Sequence, residues 1–482
     1  MCKRMIGTGI VILLIISYLI IGCGQTSRDI TYTTKSDKAL EIFLEGVDKL
    51  ENLKTDEARA LFGEAVKIDP EFAMAYYYWA VSSATTDDFQ MRLNKAAELA
   101  EKASKPEQLV ILSQKAAVSD SAGKARSMLE ELVELLPESP RAHMYLGVFY
   151  YSQQEWSTAE KELKKVTVLD PNYAPAYNML GYVYNNLGRP AEAIEALREY
   201  SKLRPDDPNP HDSMGEIYLA MGDHESSIKQ YKQALQLEAD FTFSMAGLGH
   251  NYVFMNEFDK AREAYSDMMK NAGSTADTNQ AYFWKTVSFI HEGDYRRALE
   301  VQKEQLENAQ SLTDIYAQAL IHGRMASIYR EMGEFNYALA EAANEKEIAM
   351  RPDIQPGVRE GYIRDYLFTE AIVLARLGKR KQADDKLEQF KKSAAASKNL
   401  VAMKNYRGLA GVVAYWNKDY ENAIQNLTEA NPLSQYFKYY LGLSYLKTGQ
   451  ESEAHEIFEG IANFNRNSLD YAFVRREAEK LI

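Results

Sequence analysis

The sequence predicts an all-α fold, a right-handed α-solenoid of about twelve stacked helix pairs. Three observations predict it: a pattern that recurs every 34 residues, apolar residues at helical spacing within each unit, and glycine or proline between the helices. One helix pair cannot bury its apolar face alone, so successive pairs are expected to stack. The period is marked most clearly by Gly147, Gly181, Gly215 and Gly249 and by Tyr150, Tyr184, Tyr218 and Tyr252.

Residues 172–205 illustrate how one unit is built. Apolar residues at helical spacing predict a first helix, helix A, over residues 175–187. Gly188 favours a left-handed helix end, and Pro190 suits the first turn of a second helix, helix B, which Pro205 stops.

Small residues are expected where the two helices of a pair meet. Gly181 on helix A is predicted to face Ala193 on helix B, because only small side chains let two helix backbones approach closely. Larger neighbours such as Leu180 and Leu197 would fill the flanking space.

The repeated unit resembles the tetratricopeptide repeat. Leu180, Gly181, Tyr184, Ala193 and Pro205 stand where the signature residues of that family stand, and the pattern returns in register along the chain. The resemblance implies that the A helices line a concave groove and that the groove binds a protein or peptide.

The N-terminus has a different character. Lys3 and Arg4 precede an apolar run over residues 10–21, which is typical of a secretory signal. The end of this run, with Gly22 and Cys23, resembles a bacterial lipobox. That resemblance implies cleavage before Cys23 and lipid attachment to its sulfur and amino group. The alternative is an uncleaved membrane helix, since residues 5–24 just reach the length of a span.

The remaining organisation follows from these patterns. Residues 72–137 diverge from the period and are expected to hold one stretched and one regular repeat. The final helix is expected to point Arg475, Arg476 and Glu477 into water.

The predicted segments are a lipoprotein signal peptide at 1–22, a polar tether at 23–37, partly divergent repeats at 38–137, regular repeats at 138–273, divergent repeats at 274–465 and a C-terminal capping helix at 466–482.

Cysteine content and charge exclude several classes of function. Cys2 and Cys23 are the only cysteines, so a mature chain starting at Cys23 would have no disulfide, thiol nucleophile or cysteine-based zinc site. The net charge is −13, and removing residues 1–22 would take away two positive charges and give −15. Nucleic-acid binding requires a basic face, so a nucleic-acid partner is not expected.

The sequence contains no motif typical of catalysis. Its seven histidines form no HExxH pair, and neither a phosphate-binding loop nor a nucleophile motif is present outside the leader. We therefore expect a protein that is not an enzyme and has no cofactor and no metal.

The predicted function is a lipid-anchored scaffold that binds a protein partner in the bacterial cell envelope. It would lie on the cell membrane or the outer membrane, facing the periplasm or the exterior. The alternative is an envelope sensor that binds a small ligand or a glycan in the groove. The resemblance places these residues in the groove: Arg141, Met144, Tyr151, Asn178, Tyr182, Asn185, Asn186, Asp212, Glu216, His250 and Phe254.

Overall fold

The computed structural model describes residues 29–51, 54–119, 122–354, 356–397 and 400–482. These residues form 25 α-helices and one short 3-10 helix, with no strand among them. The predicted all-α fold is confirmed. Within the same residues, no helix combines the length and the apolar character that crossing a bilayer requires. The predicted signal peptide and Cys23 lie outside the described residues.

The α-helices are numbered in chain order. They are α1 (Asp37–Glu51), α2 (Thr55–Ile68), α3 (Ala73–Val81), α4 (Thr86–Leu99), α5 (Lys105–Val118), α6 (Ala122–Leu135), α7 (Pro140–Ser152), α8 (Trp156–Leu169), α9 (Ala174–Asn186), α10 (Pro190–Leu203), α11 (Asn209–Ala220), α12 (His224–Leu237), α13 (Thr242–Phe254), α14 (Phe258–Lys270), α15 (Thr275–Glu292), α16 (Tyr295–Ser311), α17 (Ile315–Met332), α18 (Phe335–Ala349), α19 (Pro356–Arg376), α20 (Arg380–Ala396), α21 (Leu400–Trp416), α22 (Tyr420–Thr428), α23 (Gln435–Lys447), α24 (Glu451–Ala462) and α25 (Leu469–Glu479).

Helices α1 to α24 form twelve consecutive pairs, as the repeat pattern predicts, and α25 follows them. The divergent stretch 72–137 holds two complete pairs, α3 with α4 and α5 with α6, and the 3-10 helix Ala100–Lys102 lengthens the first. The chain divides into two compact units, one ending at Ser244 and the other formed by Met245–Ile482. We call them the N-terminal unit and the C-terminal unit.

Left-handed residues make the turn between the two helices of a pair. Gly188 has a φ of +73°, and α10 begins at Pro190, so the predicted turn between α9 and α10 is confirmed. Gln154, at the equivalent turn before α8, adopts a φ of 64° although it carries a side chain. The left-handed conformation therefore belongs to the turn itself and not only to glycine.

Leucine and tyrosine side chains fill the space opposite the helix-A glycines. A methyl group added at Gly181 would lie 2.8 Å from the Leu197 side chain, one of the larger residues predicted to fill the flanking space. The position of Ala193 packs against the same glycine, because the hydroxyl of the equivalent Ser227 donates to the carbonyl of Gly215 at 2.7 Å.

Residues 29–36, predicted as part of a free tether, pack against the N-terminal unit. Ile30 is only 3% exposed, and the buried and exposed side chains alternate along the segment, as in an extended strand. The tether prediction is therefore wrong for these residues. It failed because the polar composition masked this two-residue alternation. Residues 23–28 lie outside the described part of the chain.

The predicted exposure of the final helix is also partly wrong. Arg476 and Glu477 on α25 are exposed as expected, but Arg475 is only 8% exposed. Its guanidinium donates to the carbonyls of Val253 and Phe254 at 3.1 and 3.0 Å. The last carbonyls of a helix have no partner within the helix, and a guanidinium supplies several donors, so α25 binds the end of α13.

Candidate partner-binding surface

Seven of the nine predicted residues on α7, α9 and α11 come together on one surface, which we call the inner face. It consists of Tyr151, Asn178, Tyr182, Asn185, Asn186, Asp212 and Glu216. The amide of Asn186 on α9 donates to the hydroxyl of Tyr151 on α7 at 3.3 Å. The hydroxyl of Tyr182 donates to the carboxylate of Glu216 on α11 at 3.1 Å. Side-chain hydrogen bonds thus link three successive A helices.

Exposure differs among the residues of the inner face. Glu216 is exposed, and Tyr151, Tyr182, Asn185 and Asn186 are partly exposed. These five side chains remain available to a partner. They combine aromatic area with amide and carboxylate groups, and such a combination suits the backbone and side chains of a bound peptide.

Two predicted groove residues, each three positions before a helix-A glycine, are less accessible than the five side chains above. Met144 is fully buried, and Asn178 is 6% exposed and accepts a hydrogen bond from Ser213 at 3.0 Å. Asn178 therefore faces the next A helix, α11, whereas Gly181 faces Leu197 on its own helix B. The prediction that Met144 and Asn178 line an open groove is wrong.

Asp212 lies at the edge of the inner face and is partly exposed. Its carboxylate accepts a hydrogen bond from the Ser244 hydroxyl at 2.7 Å. Burial raises the pKa of Asp212 to about 7, and the charge of Glu216 acts in the same direction, while the bond from Ser244 opposes it. Among the described residues, no basic side chain pairs with Asp212 or Glu216.

Arg141 is buried because the N-terminal segment of the chain covers it. The guanidinium donates to the Tyr32 hydroxyl at 2.6 Å and lies 3.6 Å from the Asp29 carboxylate. The chain itself therefore occupies this predicted groove position. Burial raises the pKa of Tyr32 to about 12, while the charge of Arg141 partly opposes that effect.

The same segment crosses the amino-terminal ends of α3, α5 and α7. The backbone N–H of Thr33 donates to Glu107 at 2.8 Å, and that of Lys35 donates to Asp69 at 2.9 Å. At the other end, Asp29 accepts a hydrogen bond from Ser139. Sequence reasoning missed this contact, although the alternation of Ile30 and Tyr32 with polar residues was a usable signal.

His250 and Phe254 belong to the C-terminal unit, and its own C-terminal segment covers them. The Nδ1 atom of His250 lies 2.8 Å from the Tyr265 hydroxyl and accepts from the Asn467 amide at 3.1 Å. Phe254 is 6% exposed and lies beneath the guanidinium of Arg475. The prediction that Phe254 lines an open groove is wrong, because Arg475 of α25 covers it. His250 stays partly exposed, but its ring is held by Tyr265 and Asn467.

Asn467 connects two histidines in the C-terminal unit, His291, which is buried, and His250, which is partly exposed. Its side-chain oxygen lies 3.0 Å from Nε2 of His291, while its amide reaches His250. Burial lowers the pKa of both histidines to about 3, and the charge of Arg475 adds to the effect on His291. Both imidazoles are therefore neutral at physiological pH and hold the C-terminal segment by hydrogen bonds.

Two shallow depressions lie outside the inner face. One depression of about 450 Å³ lies along a single face of α12, and another of about 460 Å³ surrounds the turn between α15 and α16. Within the described residues, no three His, Cys, Asp or Glu side chains are grouped so that they could hold a metal.

Comparison with known families places the inner face within a recognised repeat. Two family models, both described as tetratricopeptide repeat, match the chain, one over residues 119–180 and the other over residues 174–207 and 211–241. The chain contains tetratricopeptide repeats within residues 119–241. Proteins with this repeat generally bind protein partners, and the repeat is typically non-enzymatic. The inner-face residues all lie within the matched tetratricopeptide repeats.

Three solved structures with similarity to the chain each cover less than half of it. PilF of Pseudomonas aeruginosa is 19% identical over 42% of this chain and 90% of its own, with a TM-score of 0.33. A MamA protein is 24% identical over 36% and 92%, with a TM-score of 0.29. PilW, a type IV pilus biogenesis factor, is 14% identical over 42% and 93%, with a TM-score of 0.36. A comparison with curated proteins gave no match.

Proposed function

We propose that this protein is a lipid-anchored scaffold of the bacterial cell envelope that binds an extended segment of a partner protein on its inner face. The observation that carries the proposal is the accessibility of Tyr151, Tyr182, Asn185, Asn186 and Glu216, next to a surface that already binds polypeptide. The chain's own residues 29–36 occupy the amino-terminal ends of α3, α5 and α7 as an extended peptide. The inner face continues from α7 to α9 and α11 and has no such occupant among the described residues.

The lipid anchor rests on the sequence alone. The basic start, the apolar run and the Gly22-Cys23 pair support cleavage before Cys23 and its acylation. Several acyl chains would hold the protein stably at a membrane. The net negative charge supports an anchor, because an acidic surface would not bind anionic lipid by itself.

Affinity capture from detergent-solubilised native membranes tests both parts of the proposal. The bait is the full chain, analysed by intact mass, beside a Tyr182→Ala/Asn186→Ala variant and a control with Glu225→Ala on the exposed surface of α12. We expect a mature bait that starts at Cys23 and carries acyl mass. We also expect one dominant envelope protein that the inner-face variant loses and the control retains.

The two parts fail separately. A bait that retains Met1 and carries no acyl mass contradicts the lipid anchor. A captured partner that binds the Tyr182→Ala/Asn186→Ala variant as strongly as the unaltered chain contradicts binding at the inner face. Purified partner and bait, mixed at known concentrations, would then give the affinity change directly.

A further inference from the structure

We propose that the segment bound by the inner face is extended and basic, with a lysine or arginine side chain that binds between Asp212 and Glu216. The inference rests on the proposed function and names the chemical class of the partner. Two observations carry it: the way in which the chain's own N-terminal segment is bound, and the absence of a cation beside these two carboxyl groups in the described residues.

The N-terminal segment shows how the A-helix ends bind an extended peptide. Carboxylates on the repeats accept its backbone N–H groups, with Glu107 bound to Thr33 and Asp69 bound to Lys35. The Lys35 side chain also pairs with Glu71, in the turn before α3. Acidic side chains of the repeats therefore bind both the backbone and the basic side chain of this segment.

The inner face lies on α7, where the described chain begins at Asp29, and on the next two A helices, α9 and α11. Asp212 lies in the first turn of α11, and Glu216 lies one turn further along the same helix. Both carboxyl groups therefore lie on one side of α11, because residues four apart share a helix face.

The two carboxyl groups of Asp212 and Glu216 favour a basic peptide, because a positive side chain would complement their negative charge. Helices α9 and α11 contain no lysine or arginine, and their only acidic residues are Asp212 and Glu216. Burial without a cation disfavours the charged form of Asp212, as its raised pKa shows. A lysine or arginine would compensate both carboxylates, and its methylene groups would pack on the partly exposed ring of Tyr182.

The test uses two fluorescein-labelled pools of synthetic nonapeptides that differ only at the central residue, lysine in one and glutamate in the other. The flanking positions are randomised among Ser, Thr, Tyr and Ile, the uncharged residue types of residues 29–36. Fluorescence anisotropy measures binding of each pool to the purified full chain at pH 8. We expect the lysine pool to bind at least about tenfold more tightly, and less tightly as salt is added.

Variants locate the contact. Asp212→Asn/Glu216→Gln removes both charges with little change of shape and is expected to abolish the preference for the lysine pool. Glu195→Gln/Glu225→Gln removes two exposed charges from α10 and α12 and is expected to retain it. Circular dichroism melts of both variants verify that each remains folded.

The other possible outcomes contradict either the basic partner alone or peptide binding at the inner face as well. The proposal of a basic partner is overturned if the two pools bind equally, or if the preference for lysine persists in Asp212→Asn/Glu216→Gln. The scaffold proposal remains intact in either case when Tyr182→Ala still weakens peptide binding. Binding of neither pool contradicts both the basic partner and recognition of extended peptides by the inner face.

Discussion

Asp212 shows at the scale of a single residue how the fold changes the chemistry of a side chain. Its carboxyl group accepts one hydrogen bond, from Ser244, and lies near Glu216 without a cation to balance it. Loss of water on folding disfavours the ionised form more than this hydrogen bond favours it. The residue therefore prefers the protonated form up to a pH of about 7 in the folded chain.

The pKa of Asp212 predicts a pH-dependent effect of the Asp212→Asn substitution. The folded pKa is raised from 3.8 to about 7, so the protonated carboxyl stabilises the fold fully below pH 3.8, and this contribution is lost as the pH rises through 7. Asparagine stays neutral, so the variant should be more stable than the unaltered chain above pH 7, by about 1–3 kcal/mol.

Thermal unfolding at pH 4 and at pH 8 measures this effect. The difference in melting temperature between the variant and the unaltered chain should be larger at pH 8 than at pH 4. Glu225→Gln, which changes an exposed carboxyl on α12, serves as the control and should give the same small difference at both values. A pH-independent difference for Asp212→Asn would refute a raised pKa.

Gly181 provides a second prediction at the residue scale. A methyl group at this position would already lie 2.8 Å from the Leu197 side chain, so Gly181→Leu should overpack the α9–α10 pair and cost about 1–3 kcal/mol. Gly460→Ala is the control, because nothing lies within 4 Å of the added methyl group. Urea unfolding compares the two. Equal stability of Gly181→Leu and the unaltered chain would show that α9 and α10 pack in another register.

At the scale of the helix pair, the turn dictates the conformation and glycine only makes it easier to adopt. Gly188 and Gly222 adopt a positive φ at the turns that follow α9 and α11. Gln154 and Asn256 do the same at the turns that follow α7 and α13, although each has a side chain. The contact between the helix-A glycine and a large helix-B side chain is present beside both kinds of turn, at Gly147, Gly181, Gly215 and Gly249. The packing of the helix pair therefore imposes the turn geometry.

Opposite substitutions at two of these turns test that interpretation. Gly188→Ala forces a side chain into the left-handed region and should destabilise the N-terminal unit by about 1–2 kcal/mol. Gln154→Gly removes the same strain from the equivalent turn and should be neutral or slightly stabilising. Chemical denaturation of both variants measures the effects. If Gln154→Gly destabilised the protein as much as Gly188→Ala, the left-handed backbone conformation would not be the cause of the loss of stability.

At the scale of the whole molecule, each unit uses a terminal segment to cover part of its own A helices. In the N-terminal unit, residues 29–36 lie across the starts of α3, α5 and α7. In the C-terminal unit, α25 brings Arg475 to the end of α13 and Arg476 to the carbonyl of Glu292 at the end of α15. Fewer A helices are therefore open to a partner than the twelve that the twelve repeats contain.

Arg475→Gln tests how firmly α25 is held. The shorter amide cannot replace both guanidinium bonds to Val253 and Phe254, so the attachment should weaken by about 2–4 kcal/mol. Hydrogen exchange of the α25 amides should become faster, while the exposed control Lys480→Gln leaves it unchanged. Unchanged exchange in Arg475→Gln would show that α25 is held mainly by its apolar contacts.

Much of the candidate site could be predicted from particular residues, but not its accessibility. The 34-residue step places Glu216 at the position equivalent to Tyr182, and the structure links Tyr182 to Glu216 and Asn186 to Tyr151. Met144 and Asn178 follow the same step, yet both are buried. Periodicity locates a side chain around a helix, whereas exposure depends on how closely the neighbouring A helices approach.

The sequence by itself predicted the helix pairs and their turns, because both depend on residues within one 34-residue unit. The recurrence of that unit along the chain predicted about twelve pairs. The tertiary structure decided which surfaces of the A helices remain open. That outcome depends on contacts between distant residues, 74 positions apart for Thr33 and Glu107 and 222 positions apart for Val253 and Arg475. A local pattern carries no information about such contacts, because they form only after the repeats have stacked and brought the ends of many helices together.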